Sequence, residues 1–271
     1  TTLPQWEQSL LSSDIETRDE TEIIRNLVAP GVTYLVSDGG LRPHLVYGSF
    51  GWVMASQTSI LLKGHGLVDG HPLQSFRCEA MGRLAGLLFT HRFIKFHKLS
   101  PNGTLATFLD NTGVILTESK FLQHTEVFPT LAITGDSDVL LALQRLHKEI
   151  PMNITTVHVK GHQDRQSAIS DLPWQAQLNI QADAIATQAL DSAEEGEEAE
   201  PCEITDGLIH LYQEQVLISS QHAHQLRYAT AEADMRDYLC ERFGWSYEQF
   251  YEVDWLSYAR ARRKIHSSLT I

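Results

Sequence analysis

Apolar and polar positions repeat with two different periods along the middle of the chain. Val32 to Val36 is a short β-branched and aromatic run that closes in Ser37-Asp38-Gly39-Gly40, Phe50 to Ala55 is a second run entered through Gly48, and Thr58 to Leu62 is a third after a turn at Ser56-Gln57. Short runs so tightly joined predict three strands of an antiparallel meander. The period then changes. Phe76, Met81, Leu84, Ala85, Leu88 and Phe89 follow helical spacing up to about His97, after a Pro72-Leu73-Gln74-Ser75 entry in which Ser75 is the expected N-cap. Thr104 to Leu109 predicts a fourth strand ending in Asp110-Asn111, residues 114–122 and 136–148 predict helices, Thr155 to Val159 predicts a fifth strand, and Ala176 to Leu190 predicts a last helix. The order β-β-β-α-β-α-α-β-α specifies an α/β domain over residues 31–190, with a five-stranded mixed sheet flanked by helices.

The flanks read differently. Residues 1–30 form an N-terminal arm. Residues 191–203 carry six glutamates and one aspartate with a Pro and a Gly and no apolar period, so like charge keeps them solvated and they read as an acidic linker. Residues 204–271 read as a helical C-terminal extension: Leu208, Leu211, Val216 and Leu217, then Ala231, Met235 and Leu239 suggest helices, Phe243 to Trp255 is rich in aromatics, and Arg260 to Lys264 is a short basic run.

Composition narrows the class. The chain has 271 residues, 42% hydrophobic and 20% charged, which is a globular balance. No stretch reaches the roughly 18 uncharged apolar residues of a membrane span, so no membrane partner is expected. The first residues have neither an initiator Met nor the basic and apolar regions of a signal peptide, so a piece of a longer chain is expected. Cys78, Cys202 and Cys240 are odd in number and widely spaced, which offers neither a disulfide framework nor a Cys-x-x-Cys metal site. The expected setting is intracellular and reducing. The net charge of −13 would argue against nucleic acid, but residues 31–190 balance 12 Lys and Arg against 12 Asp and Glu, and the excess acid lies in the flanks.

Four acids stand out in this scheme. Asp38 ends the first strand, Glu79 lies one turn into the long helix, Asp110 ends the fourth strand, and Asp183 is the one charge in Ala182-Asp183-Ala184-Ile185-Ala186. If the first and fourth strands are neighbours, Asp38 and Asp110 project together and the packed helices add the other two. Converging carboxylates repel unless they bind cations, and hard oxygen ligands suit two Mg²⁺ ions, or Mn²⁺ in their place, ~3.5–4 Å apart across a phosphodiester. Each acid taken singly has a simpler reading: Asp38 as a turn residue, Asp110-Asn111 as a helix N-cap, Glu79 and Asp183 as solvent-facing helix residues.

The ordered motifs Ser37-Asp38-Gly39-Gly40, Phe76-Arg77-Cys78-Glu79-Ala80, Asp110-Asn111, Val159-Lys160-Gly161-His162, and Asn179 with Ala182-Asp183-Ala184-Ile185-Ala186 resemble the type 1 ribonuclease H family, including its retroelement members, over about residues 31–190. The resemblance implies a ribonuclease H-like fold and hydrolysis of the RNA strand of RNA–DNA hybrids, leaving 3′-hydroxyl and 5′-phosphate ends. It implies that Asp38, Glu79, Asp110 and Asp183 hold the metals and that His162 is the mobile-loop histidine, able to move protons near neutral pH. It places polar substrate contacts at Gly39, Gln74, Ser75 and Asn111. It further implies a retroelement polyprotein whose other domains are partners. Lys63, Arg77, Arg83, Arg92, Lys95 and Lys98 are candidate phosphate contacts or, on a long helix, simply a solvated face. A non-catalytic scaffold of the same fold, binding RNA or protein, is the alternative that the intact acid quartet disfavours.

Overall fold

The computed structural model describes residues 3–258, apart from 13–14, 18, 43–44, 125, 127–130, 132, 166, 195–203, 205–208, 214–215 and 256. The acidic linker over 195–203, Cys202, Leu208 and the basic run at 260–264 lie outside the described residues. The chain forms two compact units, Thr1–Ser220 and Gln221–Ile271.

In the first unit the elements run α1 (Gln5–Ser12), β1 (Ile15–Thr17), α2 (Glu20–Val28), β2 (Val32–Leu41), β3 (Gly48–Ala55), β4 (Ile60–Val68), α3 (Ser75–Phe96), β5 (Thr104–Leu109), α4 (Thr112–Leu122), α5 (Ser137–Glu149), β6 (Asn153–His158), α6 (Trp174–Glu194), β7 (Tyr212–Gln213) and β8 (Val216–Leu217). The main sheet has the order β1-β4-β3-β2-β5-β6. β2, β3 and β4 form the expected antiparallel meander, and β5 and β6 continue it in parallel. The fold is the α/β class read from the sequence, with six strands rather than five. The extra strand, β1, pairs with β4 through Ile15 to Thr17 and comes from the arm. Only three residues long, it has no period to reveal it.

Two apolar layers sandwich the sheet. β3 is buried along its whole length, and its side chains alternate between them. Phe50, Trp52 and Met54 join Leu84, Leu87 and Leu88 of α3 on one face, while Val53 and Ala55 join Val36, Phe108, Leu178 and Ala182 on the other, under α6. β4 runs through Gly64 and Gly66, which pair with Trp52 and Phe50. A Cβ on Gly64 would lie 2.6 Å from the Trp52 ring and one on Gly66 2.7 Å from the Phe50 ring, so these glycines make room for the aromatics across the strand pair. The arm packs too: Trp6, Leu10, Ile23 and Leu27 are buried in the α3 layer, and Glu7 binds Arg92 and Arg145.

The boundary expected at residue 190 also moves. Ile204 is buried in the same apolar layer, and Tyr212–Gln213 pairs antiparallel with Val216–Leu217, so these residues belong to the first unit instead of a helical extension. The second unit is helical. α7 (His222–Phe243) ends on Gly244, whose φ of 66° is the left-handed geometry of a C-cap, and α8 (Tyr247–Tyr251) opens with a Ser246–Gln249 capping box. Phe250 is buried there, with its ring 4.8 Å from that of Trp255.

Candidate active site

The parallel pairing of β2 and β5 sets the first two acids side by side. Val36 is opposite Phe108, so Asp38 and Asp110, two residues on, project from neighbouring strands toward the same face. Asp38 lies inside β2, opposite Gly51, because the strand continues through Gly39-Gly40 to Leu41 instead of turning after Ser37. Gly39 serves packing: a Cβ there would lie 2.5 Å from the Glu79 backbone nitrogen, so its bare Cα lets α3 descend onto the sheet. That approach brings Glu79, in the second turn of α3, to the pair. One carboxylate oxygen from each of Asp38, Glu79 and Asp110 lies within 4.8 Å of the other two.

The electrostatics show the cost of this meeting. Burial, with the charges of Asp110 and Asp183 behind it, pushes the Asp38 carboxyl up to about 7, against the opposing pull of the Gly39 N–H. Burial and the charges of Asp38 and Asp110 likewise raise Glu79 well above the ordinary carboxylate range. Glu79 Oε2 is buried without a hydrogen-bond partner. Asp38, by contrast, is held at both oxygens, by the Gly39 N–H at 2.8 Å and by Asn179 Nδ2 of α6 at 2.8 Å. Three crowded carboxyls with an orphaned inward oxygen fit a multivalent cation, whose charge would remove both the repulsion and the unmet acceptor.

Asp183 stands at the rim. α6 is seated on β3 by Ser49 Oγ, which donates to the Ala186 carbonyl at 2.6 Å, and by Gly51, where any Cβ would strike the backbone of Ala182. Asp183 on this helix is outside the close trio and 42% exposed, with Oδ2 3.7 Å from His162 Nδ1. Burial, then Asp110 and Asp164, raise its carboxyl, and His162 opposes them. His162 is exposed and holds φ at 51°, a left-handed backbone uncommon for a non-glycine residue.

The remaining predicted contacts divide. Gln74 and not Ser75 is the N-cap of α3, with its backbone carbonyl accepting from Arg77 and Cys78 N–H. Both are exposed at the start of the helix that carries Glu79. Asn111 caps α4, its Oδ1 accepting from Val114 N–H at 3.2 Å, so the simpler reading holds for this residue and its acceptor is already engaged. Gly39 spends its N–H on Asp38. Among the basic candidates, Arg77 and Arg83 are buried in ion pairs with Asp136, Asp138 and Glu118, and Arg92 is paired with Glu7; helical spacing hid this because their partners come from other elements. Lys95 and Lys98 are exposed and Lys63 half-buried. Two residues gain roles the sequence did not give them. Asn179 orients Asp38, and Gly161 lets the loop before His162 pass over Asp110, where a Cβ would meet its Oδ2.

No protein-family model and no curated protein matches the sequence. Among solved structures, LC11-RNase H1 in complex with RNA/DNA hybrid aligns with 60% of this chain and 99% of its own, at 15% identity and a TM-score of 0.43. The N-terminal RNase H domain of a Mycobacterium tuberculosis protein aligns with 60% of this chain and 96% of its own, at 18% identity and a TM-score of 0.40. The protease-reverse transcriptase of Prototype Foamy Virus aligns with 58% of this chain and 20% of its own, at 19% identity and a TM-score of 0.40. The chain thus matches only a fifth of that viral protein.

Proposed function

We propose that this chain is a metal-dependent nuclease that hydrolyses the RNA strand of RNA–DNA hybrids, a ribonuclease H. The observation that carries the reading is the meeting of Asp38, Glu79 and Asp110, from two neighbouring strands and the helix over them, with an unpartnered buried oxygen on Glu79. The ordered motifs shared with type 1 ribonuclease H turn a cation site into a nuclease site, since the family's four acids fall on this trio and on Asp183.

On this reading Asp38, Glu79 and Asp110 hold two Mg²⁺ ions, or Mn²⁺ in their place, and Asp183 completes the set from α6. The chemistry that such a pair supplies when bound is Lewis acidity at a phosphodiester. The protein's own groups do the rest. Asn179 Nδ2 and the Gly39 N–H orient Asp38 and favour its ionised form. His162, exposed on its loop beside Asp183, assists proton movement or product release. Gln74 and Ser75, exposed at the head of α3, face a wide minor groove whose 2′-hydroxyls mark the RNA strand. A retroelement polyprotein and an intracellular, reducing setting belong to the same proposal, and the free, buried Cys78 thiol suits the latter.

The test is cleavage of labelled RNA–DNA hybrid, single-stranded RNA, double-stranded RNA and double-stranded DNA by the full chain with Mg²⁺, Mn²⁺ or EDTA. Metal-dependent cutting of the hybrid's RNA strand is expected. A hybrid left intact with both metals overturns the enzyme and favours a scaffold of the same fold.

A further inference from the structure

The head of α3 is gripped by contacts that the acidic trio does not use. Arg77, two residues before Glu79, is 1% exposed. Its Nε donates to the Asp69 carbonyl at 2.7 Å, Nη1 to Asp138 at 2.9 Å and Asp136 at 3.2 Å, and Nη2 to Asp138 at 2.8 Å. The planar fork therefore ties the loop before α3 to the start of α5. A second grip on the same loop comes from far along the chain. His71 N–H donates to the Leu217 carbonyl at 2.8 Å, Ser219 N–H to the His71 carbonyl at 2.9 Å, and Ser220 Oγ to the Pro72 carbonyl at 3.1 Å. Asp136 N–H donates to the Ser219 carbonyl at 2.7 Å, so this segment also holds the residue that Arg77 binds. Contact is close: at Gly70, with φ of 136°, a Cβ would lie 2.6 Å from Ser219 Oγ. Leu217, Ile218, Ser219 and Ser220 are all buried.

We infer that residues 217–220 are a strap that positions Glu79, by fixing the 69–75 loop directly and Arg77 through Asp136. The inference rests on reading the acidic trio as a cation site, because it explains how one carboxylate from a helix is held to the sub-ångström tolerance that a metal ligand requires. Residues 217–220 are positioning residues and touch neither substrate nor metal. The same loop presents Gln74 and Ser75, so the strap sets the helix head as a unit.

The test uses the full chain with Ser219→Pro, which removes the N–H donated to His71. Mn²⁺ binding is measured by calorimetry, and backbone exchange by mass spectrometry. The folded variant is expected to bind Mn²⁺ about 10- to 100-fold more weakly, as when a group that orients a ligand is lost. Exchange over residues 71–79 should quicken at least about tenfold while β2 and β5 keep theirs. Arg77→Lys, keeping charge without the fork, should move both readouts the same way. Wild-type Mn²⁺ affinity and exchange in folded Ser219→Pro overturn the strap. If that variant does not fold, Ser220→Ala takes its place, and unchanged exchange over 71–79 overturns the strap equally. A wild-type chain that cleaves no hybrid while Ser219→Pro still weakens Mn²⁺ binding removes the nuclease reading alone.

Discussion

Asn179 on α6 donates to Asp38 on β2 at 2.8 Å, across 141 positions of sequence. This bond joins the last helix to the most central acid and favours the charged carboxylate over the protonated one. Replacing Asn179 by Ala is expected to raise the Asp38 pKa further and to weaken Mn²⁺ binding by about tenfold, the cost typical of losing a group that orients a metal ligand. Calorimetric titration checks it, and an unchanged affinity would show that Asp38 needs no such support.

Replacing Asp38 or Asp110 by Asn removes charge at nearly constant shape. Hydrolysis of hybrid should fall by about 10³-fold or more, since several kcal/mol of transition-state stabilisation go with the lost ligand. Binding of hybrid, measured by anisotropy with Ca²⁺ in place of Mg²⁺, should survive, because one fewer carboxylate faces the phosphates. Undiminished cleavage by either variant takes that residue out of the site.

The trio also makes a pH prediction for the metal-free protein. The Asp38 carboxyl rises from 3.8 to about 7, through burial first and then the charges of Asp110 and Asp183. A carboxyl whose folded pKa lies above its unfolded one binds its proton more tightly in the folded chain. Its contribution is therefore complete below pH 3.8 and is lost as pH climbs through about 7. Urea unfolding in EDTA should show stability falling across this window with a slope approaching about 1.4 kcal/mol per pH unit. Asp38→Asn should flatten the decline. A metal-free wild type equally stable at both ends of the window would mean that the acids do not crowd.

His162 is separable from the carboxylates. Its ring lies 3.7 Å from Asp183, outside the trio, so His162→Ala should slow turnover by ~10²-fold, within the usual range for a proton-transfer group, with metal affinity nearly unchanged. A large loss of Mn²⁺ affinity in that variant would make it a ligand instead.

Chain length gives the last expectation. Residues 204 and 217–220 are buried in the first unit, so truncation after residue 190 should lower the melting temperature sharply, whereas truncation after residue 220 should leave a cooperative fold. Equal melting temperatures for the two fragments would show that the strap carries no stability.

Much of the candidate site is legible in the sequence, and the reasons are local. Asp38 and Asp110 each follow a β-branched, aromatic run, and strands of that kind announce themselves by composition. Glu79 and Asp183 lie on helices of 22 and 21 residues, long enough to show in the sequence. What stayed hidden depends on distant partners. Gly39 looks like a turn residue until the helix filling its gap is known, and nothing local to Gly64 and Gly66 announces the rings that face them. Arg77 and Arg83 look solvated until Asp138 and Glu118 arrive from elsewhere in the chain. Val216 and Leu217 carry too few residues to separate a strand from a helix, and the His71 N–H that the Leu217 carbonyl accepts comes from far earlier in the chain. Asn111 shows the opposite case, in which the plain capping reading was the physical one.

The glycine and aromatic pairs of the meander have a consequence for how this sequence can drift. Trp52 occupies the volume that any side chain at position 64 would need, and Phe50 does the same for position 66. Phe50 also abuts Gly82 of α3, its own Cβ 3.2 Å from where a Cβ at 82 would sit, so shifting this residue pushes on the helix that bears Glu79. Neither glycine can therefore gain a side chain by one accepted step while its aromatic partner stays. In related chains, a larger residue at either position should arrive together with a smaller one across the strand, and a lineage that makes half of that exchange should lose its acidic centre before it loses its sheet.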